Sequence, residues 1–418
     1  MKFCIVTLGC KVNQYESQSL RESLLRLGYG ESQSPETADV AVVNTCCVTG
    51  ESERKCRNAV HRLRRKAPQA LIAVCGCLAT VNGRSLEQAG ADIVWKGHDK
   101  QKLVPAIHHR LAAKETEAEA AFITGFDERT RAYVKIEDGC RNFCTYCIIP
   151  YARGRIVSRE EEQICREVEE LVRRGYRELV ITGIEIASYG ADNGKELGGL
   201  LQKLDALEGD FRLRLGSLEP SFVTPAFAKT LGALKKLCPH IHLSLQSGSD
   251  AVLRAMNRKY DTQRYGQAAA LLRQAMPGCE LTTDLIVGFP GESEAHFQES
   301  LAFAEKMEFL QIHIFPYSPR KGTPAAEMDG QVAPQVKKQR AARAAEMAQR
   351  CREQRLAARV GTRAEMICEA DGCGFTREYL PVRTEESLSP GEVVQVLFTG
   401  TDGKFLLAKR VEKQASDA

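Results

Sequence analysis

The stretch GCRNFCTYC, residues 139–147, gathers Cys140, Cys144 and Cys147 and offers no fourth cysteine beside them. A structural zinc site normally closes with four Cys or His ligands. Only one CxxC pair is present here, and His98, His108 and His109 fall in another predicted domain. A thioredoxin-type redox pair would employ Cys144 and Cys147 and leave Cys140 idle. Three unrelated buried thiols are a further reading. The sharper one is a [4Fe–4S] cube, whose irons each take a protein thiolate: three cysteines then hold three irons and leave one corner open. An open iron can chelate a small molecule that carries an amino group beside a carboxylate.

A second trio lies near the start of the chain: Cys10 in TLGCKVNQ, Cys46 in VVNTCCVT and Cys77 in CGCLAT. Each stands at or just past the carboxyl end of a predicted parallel strand. Ligand sites of open α/β sheets gather outside those ends, so cysteines far apart in sequence can converge there on another three-iron grip. Core filling is the competing reading, since cysteine is among the most buried residue types. Cys47 adjoins Cys46, and Cys75 nearly adjoins Cys77; Cys77 is preferred because it follows Gly76 at the turn.

These residues need strand ends to carry them. FCIVTLG (3–9) leads to a helix with Asn13 as its expected cap, Glu16 completing a capping box, and Leu20, Leu24 and Leu27 at helical spacing. DVAVVNT (39–45) leads to the helical stretch 51–66, and LIAVCG (71–76) to another helix. This alternation predicts an N-terminal parallel α/β domain over 1–115, with AAKETEAEAA (112–121) as the linker out of it. Six apolar strand candidates follow: AYVKIE (132–137), ELVITG (178–183), FRLRLG (211–216), HIHLSLQ (240–246), TTDLIVG (282–288) and FLQIHIF (309–315). Separated by helices, they predict a central partial TIM-type (β/α)6 barrel over 126–330, with GCRNFCTYC just after its first strand, at the mouth where barrel active sites assemble. A basic linker helix over 331–358 and a small antiparallel β-barrel over 359–418 complete the reading.

Bulk composition agrees. The chain has 418 residues, 43% hydrophobic and 27% charged, which suits several folded domains. Its 16 cysteines fall well short of the roughly 8–10% of a small disulfide scaffold, so free thiols and metal ligands are expected. The net charge of +4 is too small to argue for nucleic acid alone. MKFCIVTLGC superficially resembles a signal peptide but lacks a small-residue cleavage site, and no apolar run approaches the roughly 18–20 residues of a membrane span. A soluble, cytoplasmic protein without a membrane partner is expected.

The CxxxCxxC spacing, with Tyr146 before the last cysteine, resembles the radical SAM superfamily. The resemblance implies that Cys140, Cys144 and Cys147 are catalytic cluster ligands and that S-adenosylmethionine binds the open iron. It also implies cofactor contacts at strand ends: backbone at Gly183 in ITGIEI for the amino end, Gln246 and Ser247 in LSLQSGS for ribose or methionine, and backbone near Val287 and Gly288 in DLIVGFPGE for adenine. Arg258 of MNRKY is the candidate for the cofactor carboxylate. Turn glycines and a surface arginine are the plainer reading of each alone. With both trios, the whole chain resembles the methylthiotransferase family through TLGCKVNQYES, VVNTCCVT, GCLAT, GCRNFCTYCIIPYARG, SLQSGSDAVLRAMNRKY, DLIVGFPGE and HIFPYSPRKGTPAAEM. That family uses two [4Fe–4S] clusters and S-adenosylmethionine, as methyl donor and radical source, to place sulfur and a methyl group on a C–H carbon.

KVNQYES together with SPRKGTPAAEM is most similar to the branch that converts N6-threonylcarbamoyladenosine beside the anticodon, position 37, into its 2-methylthio form. One position departs from that branch, which carries His where this chain has Glu185. Other branches act on isopentenyladenosine in tRNA or on a ribosomal-protein aspartate, and a non-catalytic RNA-binding Fe–S or zinc protein is the reading from a different class. The implied partners are tRNA, through its anticodon loop, and a reducing electron donor such as a flavodoxin-type protein; the sulfur source is not indicated. Nine Lys or Arg against Glu346 and Glu353 over 337–363 would attract phosphates ahead of a tail resembling the TRAM RNA-binding domain, although such a run is usually a solvated helix face. ARGRIVSR (152–159) adds positive charge beside the barrel cluster.

Overall fold

Short runs of β-branched residues, each followed by an amphipathic stretch, build the front of the molecule as a parallel sheet. A computed structural model describes residues 1–112, 123–126 and 130–412; the expected linker falls almost wholly outside them. The strands Lys2–Thr7, Val40–Thr45 and Leu71–Gly76 form the middle of the sheet, with Gly30–Glu31 and Ile93–Val94 at its edges. Those edge strands were not legible because two residues carry no alternation. Asn44 pairs with both Thr7 and Cys75, so the three central strands end level. Their continuations therefore leave one edge together.

The first helix, Lys11–Arg26, is capped by Cys10, which corrects the expected cap at Asn13 and its capping box. Asn13 and Glu16 are buried, and their polar groups go to tertiary partners: Asn13 to Asn44 and the Thr45 carbonyl, Glu16 to Lys100 and Arg153. Buried groups need those partners more than a solvated helix end does.

The central strands Arg131–Lys135, Glu178–Thr182, Arg212–Leu215, His240–Leu243, Glu280–Val287 and Gln311–Pro316 run parallel in chain order. The third is broken at Gly216: its first half pairs with the second strand, while Ser217–Leu218 pairs with the fourth. Six strands do not close a TIM barrel. The helix Lys11–Arg26 packs against the first strand, and its Tyr15 joins the barrel core and donates to Glu167 at 3.0 Å.

The tail is a closed barrel of five strands, Arg363–Ala370, Cys373–Thr376, Pro381–Thr384, Val393–Thr401 and Leu406–Arg410. Its pairings are antiparallel except the parallel one between Pro381–Thr384 and Leu406–Arg410, a correction to the expected all-antiparallel form. Cys373–Thr376 was overlooked, although Asp371–Gly372, both at positive φ, is a hairpin-turn signal. This barrel seats against the amino-terminal ends of the central strands, opposite the cysteine loop. Arg214 donates to the carbonyls of Thr376 and Arg377, and Arg214 and Arg131 lie over the Tyr379 ring at 4.9 and 5.5 Å.

The helix Pro334–Ala357 packs on the last central strand, and its cations are largely spent there. Arg340 pairs with Glu292, Arg343 with Glu294, Arg350 with Glu305, and Arg355 with Glu280, as does Arg359 just beyond the helix. Five of the nine cations expected to attract phosphates are thus paired with carboxylates of the barrel. No helix among the described residues is long and apolar enough to cross a membrane.

Glu178, fully buried, receives Arg212 at 2.6 Å and Arg214 at 2.7 Å and lies 3.6 Å from Arg131. Burial alone would raise its carboxyl; Arg214, then Arg212 and Arg131, hold it well below the usual range instead. This stabilisation is complete above the unfolded carboxylate pKa and is lost as pH falls. Glu178→Ala, which strands buried arginines, is expected to cost about 3–5 kcal/mol in denaturant unfolding at neutral pH. A change below about 0.5 kcal/mol would show that water already satisfies them.

Candidate functional site

The loop after the first central strand turns at Gly139, and a Cβ there would lie 1.9 Å from the Arg155 carbonyl, so only glycine fits. Past it, Cys140, Cys144 and Cys147 stand close enough to perturb one another. Burial pushes the Cys140 and Cys147 thiols up to about 12, which leaves them protonated and poor nucleophiles without a metal. The backbone N–H groups two residues on, at Asn142 and Ile149, are directed at these sulfurs, and Arg258 Nη1 lies 3.1 Å from Cys144 Sγ. Donors converging on three sulfurs suit metal-bound thiolates.

MNRKY frames this loop. Thr145 N–H donates to the Met256 carbonyl at 3.1 Å, Thr145 Oγ1 to Ala255, and Asn257 Nδ2 to Phe143. Beneath the loop, Tyr146 packs with Val252, Met256, Phe289, Tyr317 and Ala325. Motifs widely separated in sequence thus make one apolar floor.

At the front edge, Gly9 brings Cys10 against Cys46: a Cβ on Gly9 would lie 3.1 Å from Cys46 Cβ. Gly76, at φ +92, ends its strand and starts the helix Cys77–Gln88, and a Cβ added there would lie only 2.3 Å from the Thr45 carbonyl oxygen. The turn separates Cys75, packed with Phe3, Leu20 and Val42 on one side of the sheet, from Cys77, which joins Cys46, Cys47 and Cys56 on the other. Cys10, Cys46 and Cys77 perturb one another electrostatically, and Cys47 donates to Cys77. The Cys47 thiol, followed by the Arg153 guanidinium, holds Cys77 down to about 6. Cys56 supports the turn by bonding the Cys46 backbone at 3.3 and 3.4 Å.

Two arginines of the central barrel reach the front group. Arg153 Nε lies 3.2 Å from Cys77 Sγ, and Arg320, which pairs with Glu53, acts on Cys47 and Cys46. Segments of the barrel thus touch the front cysteines.

The remaining candidates separate. A Cβ on Gly183 would strike Glu137 Oε1 at 2.2 Å, because that carboxylate accepts the Glu185 N–H at 2.7 Å. Gln246 sits half-buried at φ +65, its N–H given to the Asp284 carbonyl. Ser247 is fully buried, and its hydroxyl is shared with Ser300 and the Ser249 N–H, so it braces the turn. Val287 and Gly288 are likewise engaged within the fold, Val287 C=O with Tyr317 N–H and Gly288 N–H with Glu292, while Lys337 covers Gly288. Arg258 is no surface side chain, lying between Cys144 and the Tyr260 ring at 4.8 Å.

Residues overlooked in the sequence gather here too. Asn142 Nδ2 donates to Glu219 at 2.7 Å and to Glu185 at 3.4 Å, while Glu137 Oε2 and Glu185 Oε1 are buried without a partner among the described residues. Burial pushes Glu137 up to about 7; burial and then Glu219 push Glu185 up to about 8. On neighbouring strands His242 Nε2 stands 3.4 Å from Asp284, near His313, with Thr282 Oγ1 on its other nitrogen at 3.0 Å. Ile241, Leu243, Leu281, Leu285 and Ile312 alternate with these in the outer core, so the polar trio faces the barrel interior. That alternation was the signal available in HIHL and TTDL.

Comparison with known proteins agrees with this architecture. Residues 134–304 match the Radical SAM superfamily, and residues 2–95 match Uncharacterized protein family UPF0004. The chain is similar to the threonylcarbamoyladenosine tRNA methylthiotransferase MtaB of Bacillus subtilis, 39% identical over 80% of this chain and 77% of that one. It is 38% identical to the Chlamydia pneumoniae protein of the same name, over 88% and 86%. The tRNA-2-methylthio-N(6)-dimethylallyladenosine synthase of Moorella thermoacetica is 37% identical over 88% and 87%. Among solved structures, the radical S-adenosylmethionine methyltransferase TsrM of Kitasatospora setae shares the fold at a TM-score of 0.59 and 15% identity, over 78% of this chain and 77% of that one. With its three-part architecture and these likenesses over most of its length, the chain belongs to the radical SAM tRNA methylthiotransferase family.

Proposed function

We propose that the protein methylthiolates C2 of N6-threonylcarbamoyladenosine at position 37 of tRNA, with Cys10, Cys46 and Cys77 holding one [4Fe–4S] cluster and Cys140, Cys144 and Cys147 the other. The observation that carries this reading is the contact of Arg153, from the segment that follows Cys147, with Cys77 of the front trio. When bound, an open-cornered cube and S-adenosylmethionine supply one-electron C–S cleavage and, with it, the means to open a strong C–H bond. The protein contributes position and charge. Glu137 offers a buried oxygen, unpaired among the described residues, that suits an ammonium group, and Arg258 supplies a cation for a carboxylate. Both fit an amino-acid moiety.

The rim favours an unpaired nucleotide. Phe143 and Tyr151, each 50% exposed and 5.7 Å apart, stand beside exposed Arg141 and Arg155. Exposed rings next to cations make a stacking platform for splayed loop bases. The C-terminal five-stranded barrel, read as TRAM-like, would add RNA contacts, and an external reductant such as a flavodoxin-type protein would supply the electron.

Four measurements test the proposal. Anaerobic reconstitution should give iron and sulfide for two cubes, and replacing either trio with alanines should remove one cube's worth; unchanged iron in the Cys10, Cys46 and Cys77 variant would refute the front site. Nucleoside mass spectrometry of tRNA from a deletion strain should show loss of the 2-methylthio form of threonylcarbamoyladenosine; loss of the dimethylallyl form instead would reassign the substrate. Glu185, protonated below about 8, should keep activity level at neutral pH and let it fall as the carboxyl ionises above that value. Glu185→His should then abolish this alkaline limb while retaining product. Phe143→Ala should weaken tRNA binding by roughly 1–3 kcal/mol at constant salt.

A further inference from the structure

Arg153 is 4% exposed and ends the short helix Ile149–Arg153 that follows Cys147. It belongs by sequence to the barrel loop, yet its guanidinium lies against the front thiols. Nε stands 3.2 Å from Cys77 Sγ, and Nη2 lies 3.2 Å from Asn13 Oδ1, the same oxygen that accepts from Cys10 Sγ at 3.3 Å. Nη1 is fixed by Glu16 at 2.5 Å and Asp138 at 3.0 Å. Lys100 and Lys135 share those carboxylates, at 2.7 Å to Glu16 and 2.6 Å to Asp138 respectively. Three cations against two anions leave one positive charge buried beside Cys77.

We infer that Arg153 is a positioning residue that raises the reduction potential of the cluster held by Cys10, Cys46 and Cys77, acting from the other cluster's loop. The inference rests on the front-cluster reading above. Reduction adds an electron to the cube and its thiolates. A guanidinium that is itself 4% exposed and donates to one of those sulfurs stabilises the reduced form more than the oxidised one. Glu16 and Asp138 aim the group and damp its charge. The next residue ties the device to the barrel trio, for the Gly154 carbonyl accepts the Cys140 N–H at 3.2 Å.

The test uses full-length protein with Cys140, Cys144 and Cys147 replaced by alanine, so that only the front cluster remains, in an EPR-monitored redox titration. Arg153→Gln should lower the reduced-to-oxidised ratio at fixed potential about tenfold, a shift of about 59 mV downward for one electron. Glu16→Gln removes an anion and should shift the potential upward, while Arg153→Lys should stay nearer the parent. Opposite signs from Arg153 and Glu16 would not arise from loosened packing alone. Unchanged potentials, or shifts of one sign, would overturn the inference. If Arg153→Gln fails to hold iron, Glu16→Gln and Arg153→Lys decide by the same criterion. Absence of iron from the parent triple variant, seen before any titration, would instead refute the front cluster itself and this inference with it.

Discussion

The arrangement depends on one buried set of charges at the meeting of the front sheet and the barrel. Glu16 comes from the first helix, Lys100 from the end of the front domain, Lys135 and Asp138 from the first barrel strand and its exit, and Arg153 from the segment after the cysteine loop. Burying five charged groups costs desolvation that pairing only partly offsets, so stability is a poor account of the set. Registry is a better one. Apolar surfaces can slide over each other, but Arg153 is satisfied only where Glu16, Asp138 and Asn13 meet it. Two thiol groups from separate folding units are thereby held at one distance and orientation.

A second constraint works within the barrel. The loop carrying Cys140, Cys144 and Cys147 has little regular structure and cannot hold three sulfurs by itself. It borrows rigidity from segments that arrive last in the chain: Ala325 N–H donates to Thr145 O, Met256 accepts from Thr145 N–H, and Phe289 meets Tyr146 edge-on at 6.5 Å. Stretches such as MNRKY, GFPGE and PYSPRKGTPAA therefore act as structural supports before any cofactor contact is considered. Ser247 and Gly288 illustrate this, since their polar groups are already engaged.

What the sequence disclosed follows the same division. The three central front strands and six barrel strands were legible because apolar alternation and strand-to-helix order are local. Cys77 could be preferred over Cys75 because Gly76 marked the turn, now seen at φ +92. The roles of Asn13 and Glu16 were misread as a capping box because the letters fit that local pattern, whereas their partners, Asn44, Lys100 and Arg153, lie far along the chain. The basic run over 337–363 shows the same limit: the carboxylates that pair with five of its nine cations sit on other elements. Long-range pairing of charge leaves no periodic trace.

Glu185 is where this reasoning bears on substrate. Read as letters, a carboxylate in place of an imidazole reverses the charge expected at the cavity. In its surroundings the reversal largely disappears. Burial and the nearby Glu219 push its carboxyl up to about 8, so at neutral pH it is chiefly protonated. A neutral carboxylic acid offers one O–H donor and a carbonyl acceptor, the same pair of functions that a neutral imidazole presents on its two nitrogens. Asn142, bonded to both Glu185 and Glu219, fixes where those functions sit. The departure therefore preserves hydrogen-bonding character while substituting one titrating group for another.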